Sequence, residues 1–155
     1  MFRLATLRCA AAAVFAFVLM GPLAADRAQA DIQIVVSKAA QRMVVVVDGR
    51  PRYRWAISTG LDGGPPSGVF RPQRMERMWH SRKYDWTPMP HSIFFYHGFA
   101  IHGTGQVSRL GRRASKGCVR LHPSNAATLF ALVKSRGMGS TRITVSDYPS
   151  RMAYR

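Results

Sequence analysis

Met43-Val44-Val45-Val46-Val47-Asp48-Gly49-Arg50-Pro51-Arg52-Tyr53-Arg54-Trp55-Ala56-Ile57-Ser58 decides the fold class. The run from Met43 to Val47 is β-branched and apolar, and Asp48-Gly49 is the dipeptide of a tight hairpin turn. After the turn the side chains alternate. Tyr53, Trp55 and Ile57 share one face and Arg52, Arg54 and Ala56 the other, so the hairpin has a core side and a wet side.

Working outward, Ile32-Gln33-Ile34-Val35-Val36 reads as a preceding strand. Ser58-Thr59-Gly60 to Ser67-Gly68 is a Gly/Pro-rich loop that ends in Val69-Phe70. Arg71 to Pro90 mixes Met75, Met78, Trp79, Tyr84 and Trp86 with prolines and charges, and is expected to be an irregular excursion over the site. Ser92–Tyr96 and Phe99–His102 form a second short hairpin across His97-Gly98. One helix is predicted, opened by Pro123 and Ser124, carried by Ala126, Leu129, Phe130 and Val133 at helical spacing, and closed by Gly137. Arg142–Val145 is a last strand. The class is mainly β with one main helix.

The first 30 residues have a different character. Arg3 and Arg8 precede an apolar stretch from Cys9 to Ala25, and Ala28-Gln29-Ala30 supplies small residues at a cleavage spacing. This reads as a signal peptide cut before Asp31, with no stable membrane anchor, because the apolar run before Gly21 and Pro22 is short for a span. The expected division is a leader over 1–30, one domain over 31–147, and a basic tail over 148–155. The formal charge is +16, of which +14 stays after the leader, where Arg3, Arg8 and Arg27 stand against Asp26. In an exported protein this balance points to the cell wall, anionic lipid or acidic sugars, and not to nucleic acid.

Loss of the leader removes Cys9 and leaves Cys118 as the single thiol, so no internal disulfide can hold the domain. Gly117, Lys116 and Arg120 flank Cys118, which argues against a core position. His102, in Ala100-Ile101-His102-Gly103-Thr104, lies sixteen residues earlier. A thiol needs a proton acceptor to become a nucleophile, and an imidazole is the usual one. A tetrahedral oxyanion needs backbone N–H donors, and the amides of Gly117 and Cys118 are the natural candidates. Arg120 can hold a carboxylate in its planar fork. Ser115 is a candidate substrate-binding residue, which either hydrogen-bonds near the thiolate or holds the turn. His80, His91, His97 and His122 show no metal-ligand spacing, and neither metal nor cofactor is expected.

These residues resemble the L,D-transpeptidase catalytic domain family, also called YkuD. The match lies in Ile101-His102-Gly103 and in Ser115-Lys116-Gly117-Cys118-Val119-Arg120, and extends to Ser58-Thr59-Gly60, to Pro65-Pro66-Ser67-Gly68-Val69-Phe70 and to Met89-Pro90. It spans Ile32 to Val145. One departure is Lys116, where the family commonly has histidine; a cation beside the thiol is expected to favour the thiolate.

The resemblance implies a β-sandwich with Cys118 in a cleft. Cys118 would attack the carbonyl between the diamino acid and the D-alanine of a tetrapeptide stem, and an amine of a second stem would resolve the acyl-enzyme into a 3→3 cross-link. His102 would move the proton, and the Gly103 carbonyl would orient its ring. Partners are peptidoglycan stem peptides, with a wall-attached lipoprotein as a further one, and the implied location is the periplasm. Rival readings are an L,D-carboxypeptidase with water as acceptor, another wall-peptide cysteine peptidase, or a non-catalytic cationic wall-binding module.

Overall fold

The computed structural model describes residues 31–149. The leader over 1–30, with Cys9, and the tail beyond Pro149 lie outside the described residues.

Two sheets face each other. The first holds β1 (Ile32–Ser37), β2 (Arg42–Val47), β3 (Arg50–Ala56), β4 (Gly68–Phe70) and β9 (Thr141–Ser146) in the order β3-β2-β1-β9-β4. The second holds β5 (Arg74–Ser81), β6 (Thr87–Tyr96), β7 (Phe99–Gly103) and β8 (Val119–Leu121) in that order. Asp48 and Gly49 take φ of 50° and 76°, the paired left-handed geometry of the turn their sequence predicts. The β1–β2 register sets Ile34 opposite Val45 and Val36 opposite Met43, so one face of this sheet is continuously apolar. It meets Ile93, Phe95, Ile101, Val119 and Leu121 of the second sheet in one core.

The helix α1 (Pro123–Arg136) closes the core with Ala126, Leu129 and Val133. Pro123 occupies its first turn, the His122 ring accepts from the Ser124 amide, and the Gly137 N–H ends it on the Val133 carbonyl.

The expected irregular excursion over Arg71–Pro90 is corrected. It is a long regular hairpin, β5 against β6, with Arg74 opposite Phe94 and Ser81 opposite Thr87. Pro88 and Pro90 hid it. The half of β6 that carries them pairs with β5 alone, since β7 joins β6 only from Ile93 onward, and a strand without a second partner tolerates missing N–H donors. The second hairpin likewise reaches further back than Ser92. Two pieces had no expectation, the three-residue β8 and a 3-10 turn over Val107–Arg109.

Candidate active site

The site follows from the pleat of β7 and β8. They run parallel with Ile101 opposite Val119, His102 opposite Arg120 and Gly103 opposite Leu121. Successive side chains alternate between faces, so Ile101, Val119 and Leu121 enter the core, where each is at most 1 % exposed. Ala100, His102, Cys118 and Arg120 then share the outer face, above Met89, Phe94 and Trp79. There His102, Cys118 and Arg120 border a cleft of about 750 Å³.

His102 is a strand residue, only 4 % exposed. Its Nδ1 lies 2.8 Å from the Gly103 carbonyl oxygen. A carbonyl can only accept, so this bond puts the ring proton on Nδ1 and leaves the Nε2 lone pair available. Burial lowers the His102 pKa from 6.5 to about 4; the Gly103 carbonyl opposes the change and the Arg120 charge adds to it. The imidazole is therefore neutral across the working range. The Gly103 carbonyl thus holds the ring through Nδ1, and the position of Gly103 is itself tight. A Cβ there would lie 3.2 Å from Pro90 and 3.3 Å from Pro123.

Cys118 is half-buried at the edge of the cleft. Burial pushes its thiol above the usual value, and the Ala100 backbone N–H and the Arg120 guanidinium pull the other way. The resting pair is thus a neutral thiol and a neutral imidazole. Arg120 is partly buried, which depresses its own pKa against the attraction of Cys118. It is held by Gln106 Oε1 at 2.8 Å and by the Ala114 carbonyl at 3.3 Å.

Three expectations change. The Gly117 N–H is donated to Ser115 Oγ at 3.0 Å, so it is not free to receive an oxyanion, which leaves the Cys118 amide as the remaining candidate. The contribution of Gly117 is conformational: its φ is 132°, and a Cβ would sit 2.8 Å from the Phe99 ring. Ser115 is 1 % exposed, and its hydroxyl donates to the Cys118 carbonyl at 2.6 Å while accepting from Gly117, so it holds the turn instead of binding substrate. Lys116 does not act on the thiol. Its ammonium sits 4.7 Å from the Tyr84 ring centre, and the cation felt by Cys118 is Arg120.

Sequence reasoning placed this segment over the site without assigning roles to its residues, and the β5–β6 hairpin specifies them. Tyr84, at its tip, donates its hydroxyl to the Lys116 carbonyl at 3.3 Å and so bridges the cleft to the loop before Cys118. Arg74 lies over Trp79 at 4.4 Å and Phe94 at 4.2 Å. With the hairpin unread, the particular contacts of Tyr84 and Arg74 were not legible in the chain. Among the described residues the cleft is lined by the cations Arg74, Arg82, Lys83, Lys116 and Arg120 and by no carboxylate. Among the described residues no group of three or more His, Cys, Asp or Glu could hold a metal ion, and no helix is long and apolar enough to cross a membrane.

Fold and site together define a mainly β two-sheet protein with a thiol and an imidazole on one wall of a cationic cleft. Residues 31–145 match the L,D-transpeptidase catalytic domain, YkuD, and the chain belongs to that family. A protein of Bacillus subtilis (strain 168) named as a candidate L,D-transpeptidase, YqjB, is 24% identical over 140 residues, covering 81% of this chain and 77% of its own. Among solved structures, an L,D-transpeptidase from Mycobacterium smegmatis is similar at TM-score 0.66 and 24% identity, over 75% of this chain and 58% of that one. L,D-transpeptidase 3 from Mycobacterium tuberculosis, in complex with a faropenem-derived adduct, is similar at TM-score 0.64 and 17% identity, over 75% and 60%. These structural likenesses concern the fold, and the chain spans under two thirds of either structure's length.

Proposed function

We propose that the chain is an exported peptidoglycan L,D-transpeptidase working through a Cys118 thioester. The observation that carries this reading is the His102 ring, neutral and tied through Nδ1 to the Gly103 carbonyl, on the same strand face as Cys118. The basic Nε2 is left to take the thiol proton as Sγ forms its bond to the stem carbonyl carbon. The Cys118 amide and Arg120 face the negative charge that develops there. Collapse of the tetrahedral adduct breaks the carbon–nitrogen bond, and His102 returns the proton to the departing D-alanine amine. An amine of a second stem then attacks the thioester, gives its proton to His102, and the proton goes back to sulfur. Family membership and the absence of carboxylates from the cleft lining support stem peptides, which carry several carboxylates, as the substrate class.

Export is part of the same proposal. The leader over 1–30 is cut before Asp31 and releases the domain over 31–147, with its basic tail over 148–155, into the periplasm. N-terminal sequencing of the fractionated protein tests it, and a membrane-bound form that retains Cys9 refutes it. For the chemistry, the purified protein is incubated with disaccharide-tetrapeptide and the products are weighed. A cross-linked dimer with loss of one D-alanine is expected. Only a disaccharide-tripeptide indicates a carboxypeptidase, and unchanged substrate favours a wall-binding module.

A further inference from the structure

Lys38 lies in the turn between β1 and β2 and is 4 % exposed, a costly place for an ammonium unless its donors are all matched. They are matched. Nζ donates to the Gly63 carbonyl at 2.9 Å and to the Pro65 carbonyl at 2.8 Å, and pairs with Asp147 at 2.8 Å. Asp147 also accepts from the Ser67 hydroxyl. The glycine loop after β3 therefore hangs on one buried cation.

Gln41, at the other end of the same turn, makes a second tether. It holds a left-handed φ of 48°, and its side-chain amide donates to the Lys38 carbonyl at 2.7 Å and to Thr59 Oγ1 at 2.6 Å, while its Oε1 accepts from the Thr59 N–H at 2.9 Å. The Thr59 carbonyl in turn accepts the amides of Ala114 and Ser115, both at 3.0 Å, and Leu61 N–H donates to the Ser115 carbonyl at 3.0 Å. The two loops touch without side chains between them. A Cβ on Gly60 or Gly64 would come within 2.9 or 3.1 Å of the Gly117 Cα. The first tether thus runs from Lys38 through Gly63 and Pro65 to Gly64 and onto Gly117, the residue before Cys118.

A pair with one buried and one exposed partner is poor evidence for stability, since water screens the exposed carboxylate; its evident product is geometry. We infer that Lys38, seconded by Gln41, is a positioning residue for the nucleophile: it clamps the 59–65 loop against Gly117 and fixes the Cys118 peptide before substrate arrives. The inference rests on the reading of Cys118 as the acyl-accepting thiol.

The test compares native protein with Lys38→Met and Gly64→Ala. Three quantities are measured: the melting curve, acylation by imipenem across concentration, and alkylation of Cys118 by iodoacetamide, which needs no carbonyl alignment. A displaced nucleophile costs on the order of tenfold or more in the limiting acylation rate. The half-saturating imipenem concentration and the alkylation rate are expected to stay within about twofold, a split that a general loosening of the fold does not produce. If Lys38→Met does not fold, Gly64→Ala, which presses on Gly117 without removing a buried charge, is expected to give the same split. A folded variant of either kind with the native limiting rate overturns the inference. Native protein that is alkylated at Cys118 but never acylated overturns the proposed function itself, and the inference with it.

Discussion

His102 makes stability and activity depend on pH in a way no exposed histidine would. Its pKa falls from 6.5 to about 4 on folding because burial strips water from the charged ring. Between these values the unfolded chain binds a proton that the folded protein refuses. Stability is therefore full above the ordinary imidazole value and is lost as the pH falls towards the folded one. The whole difference corresponds to about 3 kcal/mol, and at about pH 5 the share already lost is about 2 kcal/mol. Denaturant unfolding at about pH 7.5 and pH 5 measures it, with His102→Gln as the reference that cannot titrate. Native protein should lose about 2 kcal/mol more than the variant over this interval. The catalytic profile should agree, with kcat/KM falling on the acid side near pH 4 and no limb near 6.5. Parallel losses in the two proteins, or an activity limb at 6.5, would refute a buried neutral imidazole.

Cys118→Ala and His102→Ala should each remove nearly all turnover while leaving a folded protein, and the double variant should be no worse than either, because the proposed base and nucleophile would act as one unit; circular dichroism and product assays check this. Arg120→Gln should raise the pH midpoint of Cys118 alkylation, since it removes a cation that favours the thiolate, whereas Lys116→Ala should leave it in place because that ammonium rests on Tyr84. Gly117→Ala should lower both stability and acylation, since a methyl group would meet Phe99 at 2.8 Å in a left-handed backbone, and thermal unfolding with adduct mass spectrometry would report it.

Much of the first sheet was readable in the chain because its strands announce themselves locally. The valine run from Val44 to Val47, the Asp48-Gly49 turn and the alternation of Tyr53, Trp55 and Ile57 need no distant partner to be recognised. The helix was equally plain from Pro123 to Gly137. The β5–β6 hairpin was not, because prolines normally deny a strand and here one side of β6 has no partner to miss their N–H groups. At the site, His102 and Cys118 could be named from motif and chemistry. The details that depend on where amides and ammonium groups point could not. The Gly117 N–H turns back to Ser115, Lys116 turns to Tyr84, and Lys38 reaches Asp147 across more than a hundred residues; each is a property of the folded chain alone.

Acylation of Cys118 by a stem peptide is read by intact mass spectrometry of the protein mixed with disaccharide-tetrapeptide. A covalent adduct equal to the disaccharide-tripeptide acyl group is expected, located on Cys118 by peptide mapping, with D-alanine released in an amount equal to adduct plus acyl-transfer product and no adduct on Cys118→Ala. A protein that consumes the substrate with no adduct on Cys118, or an adduct that persists in Cys118→Ala, would contradict it.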